Sequence, residues 1–221
     1  MTYAWNFGVI YQYQAVFLRG ALVTAELTIY SLVIGSLLGL FVAVARDSSK
    51  WFISAPTALF VEAFRSTPAL VQLVWIYYCL PILTGITLST MTTVVVAFAL
   101  HTAAYMGEIF RAGIRSIDKG QYHAAMSIGM TDVQLMRRII VPQALRRVIP
   151  PYMNEVANLV KLTTLASVLA VQELQYQASN LIAQTFRPLE ILTFLAVMFA
   201  ALIYPMTLLA RYVEARYERR K

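Results

Sequence analysis

Long apolar runs separated by short polar or basic stretches set the pattern of this chain. The runs fall near 21–45, 57–80, 88–110, 151–171 and 189–210. At about 1.5 Å per residue, each is long enough as a helix to cross a hydrocarbon core about 30 Å thick. The pattern predicts an all-α integral membrane protein with about five transmembrane helices, built as one domain over 1–221. The stretch 111–150 is different, being basic and amphipathic rather than continuously apolar. Within it Ala124, Ala125, Ile128, Leu135, Ile139 and Ile140 recur at helical spacing. Gly129 interrupts that spacing, and Pro142, Pro150 and Pro151 are expected to end it. We therefore expect two short helices joined near Gly129-Met130-Thr131-Asp132, with Thr131 or Asp132 capping the second.

Composition sharpens this reading. The 221 residues are 59% hydrophobic and 13% charged, against about 45–50% and about 25% in soluble domains. The net charge of +7 matters through its distribution. Arg46 and Lys50 follow the first run. Arg111, Arg115, Lys119, Arg137, Arg138, Arg146 and Arg147 fill the third connection, and Arg211, Arg216, Arg219, Arg220 and Lys221 the tail. The other side has only Arg19 and Arg187 near the membrane. The excess of Lys and Arg predicts a cytoplasmic 111–150 segment and C-terminus, with the N-terminus outside. Basic charge is thereby assigned to topology and anionic lipid, and nucleic acid is not needed as a partner. Trp51, Trp75, Tyr77, Tyr78, Tyr152 and Tyr212 lie near predicted span ends, as interfacial aromatics do. Cys79 is the single cysteine, which excludes an internal disulfide and a Cys-based metal site. The first 14 residues lack a basic region followed by an apolar core, so the first span is expected to act as an uncleaved targeting signal.

From Tyr122 the third connection reads YHAAMSIGMTDVQLMRRIIVPQA. This resembles the signature loop of ABC importer permeases: Glu-Ala-Ala, a Gly four residues after the second Ala, an Ile ten residues later and a Pro three beyond. The matching positions are Ala124, Ala125, Gly129, Ile139 and Pro142, and His123 stands where the family usually has Glu. Three further segments look like the polar amino-acid group of these permeases, which move histidine, glutamine, glutamate, arginine or opines. They are FRSTPALVQLVWIYYCLP (64–81), AAYMGEIFRAGIRSIDKGQ (103–121) and NLVKLTTLASVLAVQEL (158–174). The likeness covers about 18–217.

The resemblance implies a type I ABC importer permease fold in the bacterial cytoplasmic membrane. The loop would carry a coupling helix docked in a groove of a cytoplasmic ATPase dimer. A second permease, identical or related, would complete the pore, and an extracytoplasmic binding protein would deliver the polar amino acid. ATP and Mg would be bound by the ATPase. No GxxxxGK[ST] occurs in this chain, so it is not expected to be an enzyme or to hold a cofactor or metal of its own. The departure at His123 bears on the detail of docking.

Ionisable and polar residues at membrane depth are costly and point to function. Arg65 is followed by Ser66-Thr67-Pro68, where Pro68 removes a backbone donor. Backbone groups freed there must face protein or a water-filled cavity. Two readings of Arg65 stand: it lines the pathway and meets a substrate carboxylate, or it pairs with Glu108. Gln72 suits a substrate hydrogen bond or a partner helix. Lys161, with Thr163 and Thr164 beside it, suits the pathway or interhelical bonding. The candidate pathway set is Arg65, Thr67, Pro68, Gln72, Glu108, Lys161 and Thr163. Glu26, seven residues after Arg19, is given a structural role. His101 is read as a packing histidine, since His123 is its sole companion in the chain. Gly35 and Gly39 form a GxxxG pattern that predicts close helix packing. An ion-gradient-driven secondary transporter is the alternative function. It would leave 111–150 unexplained, and no internal repeat supports it.

Overall fold

The structure is a computed structural model and describes residues 3–218, with side-chain environments as far as 215. The described residues fold into ten α-helices. A short α1 (Gly8–Gln12) leads into α2 (Gln14–Arg46), followed by α3 (Trp51–Ser66), α4 (Ala69–Thr84) and α5 (Thr90–Arg115). Next come α6 (Lys119–Ser127), α7 (Asp132–Leu135) and α8 (Val141–Leu162), then α9 (Leu174–Thr185) and α10 (Pro188–Glu218). Each of the five predicted apolar runs is largely helical, with non-helical residues at Thr67-Pro68, before Thr90 and after Leu169. Taken singly, α2, α5 and α10 are long and apolar enough to cross a membrane.

The centre of the fold is the α2–α5 pair. Gly35 and Gly39 lie directly against Thr102, Ala103 and Met106. A Cβ added at Gly35 would stand 2.6 Å from Thr102 Cβ, and one at Gly39 2.7 Å from Met106 Cβ. Small residues here let two backbones approach, as the GxxxG pattern predicts. Leu73 and Ile76 of α4 and Leu159 of α8 pack onto this pair with Leu27, Val94 and Phe98. A second apolar cluster joins Phe17 of α2 to Leu174, Ala178 and Leu181 of α9 and Ile191 and Leu195 of α10.

Two expectations need correction, and a third is sharpened. The break at Pro68 is a bend of 111° between α3 and α4 across Thr67-Pro68. Thr67 is extended at φ −109°, ψ 145°, as the residue before a proline prefers. The prolines of 111–150 do not end its second helix. A π turn over Met136–Ile140, where Val141 N–H donates to Met136 O, links α7 directly to α8. That looser turn lies immediately before Pro142 and eases the clash of its ring with the preceding turn. Pro150 and Pro151 sit inside α8. The fourth span also changes character before it ends, becoming a 3-10 helix over Thr163–Leu169. There the hydroxyls of Thr163, Thr164 and Ser167 donate to the carbonyls of Val160, Lys161 and Thr164, three residues back.

The chain then leaves this helix through Ala170, at φ +57°. Glu173 caps α9, its carboxylate accepting from Gln175 N at 2.8 Å and Tyr176 N at 2.7 Å. Burial pushes that carboxyl up to about 7, against the pull of the two backbone donors. Leu174 N donates to Thr24 Oγ1 at 3.2 Å and so ties α9 to α2.

Candidate functional site

The segment 117–144 builds a small core of its own from Ile117, Ala125, Leu135, Ile140 and Ala144. Asp118 caps α6 by accepting from Gly120 N. The α6–α7 corner is closed by Gly129 at φ +76°, with Gly129 N donating to Met126 O and Met130 N to Ala125 O. That is how a left-handed residue satisfies the last carbonyls of a helix, and it is the conformation glycine adopts without strain. Thr131 caps α7 in a reciprocal capping box with Gln134, which resolves the choice between Thr131 and Asp132. Of the signature positions, Ala125 is buried in the small core and Ile139 is half-buried. His123, Ala124, Gly129 and Pro142 face outward. Around them Met126, Ile128 and Val133 are 53%, 77% and 76% exposed. A folded corner thus presents an apolar surface.

A second constellation surrounds Glu108, where α2, α3 and α5 meet. Arg111 Nε and Nη2 donate to the two Glu108 oxygens at 2.8 and 2.7 Å. Arg46 Nη1 lies 2.7 Å from Glu108 Oε1, and Arg46 Nη2 3.0 Å from Glu62 of α3. Arg65 Nη1 is farther out, 3.9 Å from Glu108 Oε2. Asp47 pairs with Arg115 at 2.7 Å. Arg65 therefore lies level with the charged ends of α2 and α5 and not deep within a straight span.

Both readings of Arg65 meet here. It has a loose ionic contact with Glu108, yet its side chain is 41% exposed, against 18% for Arg46 and 19% for Arg111. Its guanidinium lies 5.6 Å from the centroid of the Tyr105 ring, within cation–π range. It looks into a cleft of about 440 Å³ lined also by Ile109, Arg147 and Pro151. A guanidinium with spare donors beside open volume suits a carboxylate.

The other candidates separate. Thr67, Pro68 and Gln72 form the α3–α4 elbow, and Gln72 is bonded across it. Lys161 is exposed at the end of α8, ten residues and about 15 Å along the helix from Pro151. Thr163 is buried and donates to Val160 O at 2.7 Å, so its hydroxyl serves its own helix. Sequence reasoning passed over Arg46, Asp47, Glu62 and Tyr105 as parts of this constellation. The i,i+3 spacing of Glu108 and Arg111 was the available signal for its centre.

A family model described as binding-protein-dependent transport system inner membrane component matches residues 35–219. The octopine transport system permease protein OccM of Rhizobium meliloti is 40% identical over 182 residues, covering 79% of this chain and 74% of that protein. The glutamine transport system permease protein GlnP of Escherichia coli K12 is 32% identical over 200 residues, or 90% and 91% of the two chains. Among solved structures, a chain of an amino acid ABC transporter crystallised with histidines superposes at a TM-score of 0.84 and 34% identity, over 99% of this chain and 100% of that one. A chain of the inward-facing MetNI methionine ABC transporter gives a TM-score of 0.77 at 19% identity, over 92% and 97%. That last likeness is one of fold.

Proposed function

Because this chain belongs to the family of binding-protein-dependent transport system inner membrane components, and so is a membrane-spanning permease subunit of an ABC importer, we propose that it carries a polar amino acid across the bacterial cytoplasmic membrane on energy supplied by partner subunits. Family membership implies an ATPase and a binding protein as partners. The ATPase is taken as a cytoplasmic dimer that holds ATP and Mg, and a second permease, identical or related, completes the pore. The N-terminus lies outside, and α6, α7 and the C-terminus face the cytosol, in keeping with the distribution of Lys and Arg.

The observation that carries this reading is the closed corner at Gly129, where an ordered helix pair displays Met126, Ile128 and Val133 outward over its own core. A loop that only joined two spans would need neither a core nor an apolar surface. Docked in the ATPase, this corner transmits closure of the nucleotide sites to α5 and α8, which flank it in the chain. The pathway opens alternately to either side, and Arg65 meets the substrate carboxylate from the α3–α5–α8 cleft. Polar amino-acid cargo is supported by the octopine and glutamine permeases among the relatives.

The test is reconstitution. The permease, its ATPase and its binding protein in liposomes should take up labelled polar amino acid only with ATP. Gly129→Arg should insert normally but lose the ATPase on purification, because an Arg must adopt φ +76° there at about 1 kcal/mol or more and project from the docking corner. Uptake by the permease alone on an ion gradient would instead establish a secondary transporter.

A further inference from the structure

The α3–α4 elbow contains a hydrogen-bond chain that the transport reading does not use. Pro68 has no N–H, so the carbonyl four residues earlier, Phe64 O, loses its helical donor. Gln72, in the first turn of α4, replaces it: Gln72 Nε2 donates to Phe64 O at 2.7 Å. The same nitrogen lies 3.0 Å from Thr67 O and 2.9 Å from Thr67 Oγ1. Thr67 Oγ1 in turn donates to Ala63 O at 2.7 Å. One amide and one hydroxyl thus satisfy two of the carbonyls left open where α3 stops.

This fixes the amide orientation. Two of the oxygens around Nε2 are carbonyls, which only accept, so the amide cannot be turned over without placing oxygen against oxygen. Gln72 Oε1 is therefore the atom 3.0 Å from His101 Nδ1. An acceptor there requires the proton on Nδ1, leaving Nε2 of the neutral ring bare. His101 is 9% exposed, and its ring lies 4.7 Å from that of Tyr105, over which Arg65 sits.

We propose that His101 is a positioning residue for transport. Its Nδ1–H holds the Gln72 amide, the amide holds the elbow, and the elbow sets where Arg65 stands over Tyr105. The alternative is a histidine that only fills space on α5. The role in transport rests on Arg65 facing the pathway, whereas the hydrogen-bond chain itself does not.

Two measurements test it in the complete transporter. The chain has two histidines, so when this permease alone is histidine-labelled and assembled in lipid with unlabelled partners, His123→Asn leaves His101 as the one signal in its nitrogen NMR spectrum. His101 should carry its proton on Nδ1, and Gln72→Leu should abolish that preference. A proton on Nε2 with Nδ1 bare overturns the proposal without any reference to transport. In ATP-driven uptake, His101→Leu and Gln72→Leu should each lose about tenfold, the scale of one buried group left unpaired. The double variant should be no worse than either single one. His101→Asn, whose amide N–H stands near the position of Nδ1, should recover to within about twofold. Equal loss in His101→Asn and His101→Leu, additive losses, or normal uptake in His101→Leu would each overturn it. If the transport reading itself is wrong, the wild-type complex shows no ATP-driven uptake, while the NMR result stands.

Discussion

α2 and α5 meet backbone to backbone, through Gly35, Gly39 and Gly107. α3 packs against the same two helices with far less burial. It buries Val61 alone among its sixteen residues and is moored by Glu62 to Arg46 and by Arg65 to Glu108. Close backbone packing has one good geometry, because a core transmits a shift and does not absorb it. Ionic moorings at 3.0–3.9 Å can be exchanged for water or for a substrate carboxylate at little net cost. On the proposed transport reading, the contrast makes α2–α5 the frame and α3 the part free to shift against it.

The sharpest way to break this contrast is Gly35→Leu. A Cβ added there would stand 2.6 Å from Thr102 Cβ and 2.9 Å from Ala99 O. A larger side chain must separate the helices, at about 3 kcal/mol or more. The yield of assembled complex from membranes should fall more than tenfold, and near-normal yield would show that α2–α5 is not the frame. Next comes Glu108→Gln, which leaves Arg46, Arg65 and Arg111 without their shared anion. Glu108 is 16% exposed, against 61% for Glu62. Thermal stability of the detergent-solubilised complex should drop by about 2 kcal/mol, less than for a fully buried broken pair because Glu108 keeps some exposure. Glu62→Gln should change it by less than about 1 kcal/mol. Equal effects would mean that α3 is as firmly built in as α5. The smallest stability change is expected for Arg65→Ala, within about 1 kcal/mol, yet uptake should fall at least tenfold on the scale of a lost charged contact. Uptake falling only in step with complex yield would remove Arg65 from the pathway.

Much of the frame was legible in the sequence. Runs of about 20 apolar residues, the Gly35/Gly39 spacing and the Ala125–Gly129 corner each express one physical rule acting over a short stretch. The elbow was half legible: Pro68 announced a break, but a proline does not say how far the chain turns or who replaces its donor. Gln72 suited either a substrate or a partner helix and His101 suited packing; which groups they meet was not legible, because their bonds reach across 8 and 29 positions, a range that spacing along one helix does not cover. The position of Arg65 beside the ends of α2 and α5 was not legible for a related reason: it depends on the size of the bend at Pro68. Pro142, Pro150 and Pro151 read as stops, yet the π turn over Met136–Ile140 carries the helix past the first of them. That accommodation depends on tertiary packing of Ile140 and Ala144 against Ala125 and Leu135.

The central claim is that this subunit is driven through the corner at Gly129, and site-directed cross-linking in sealed membrane vesicles tests it most directly. Cysteines are placed singly at Ile128 and at Phe186, which are 77% and 84% exposed, after Cys79→Ser. The Ile128→Cys protein should cross-link to the ATPase subunit, respond to ATP and be labelled only from the cytosolic side. The Phe186→Cys protein should do none of these. Cross-linking of the ATPase at position 186, or labelling of position 128 from outside, would contradict the account.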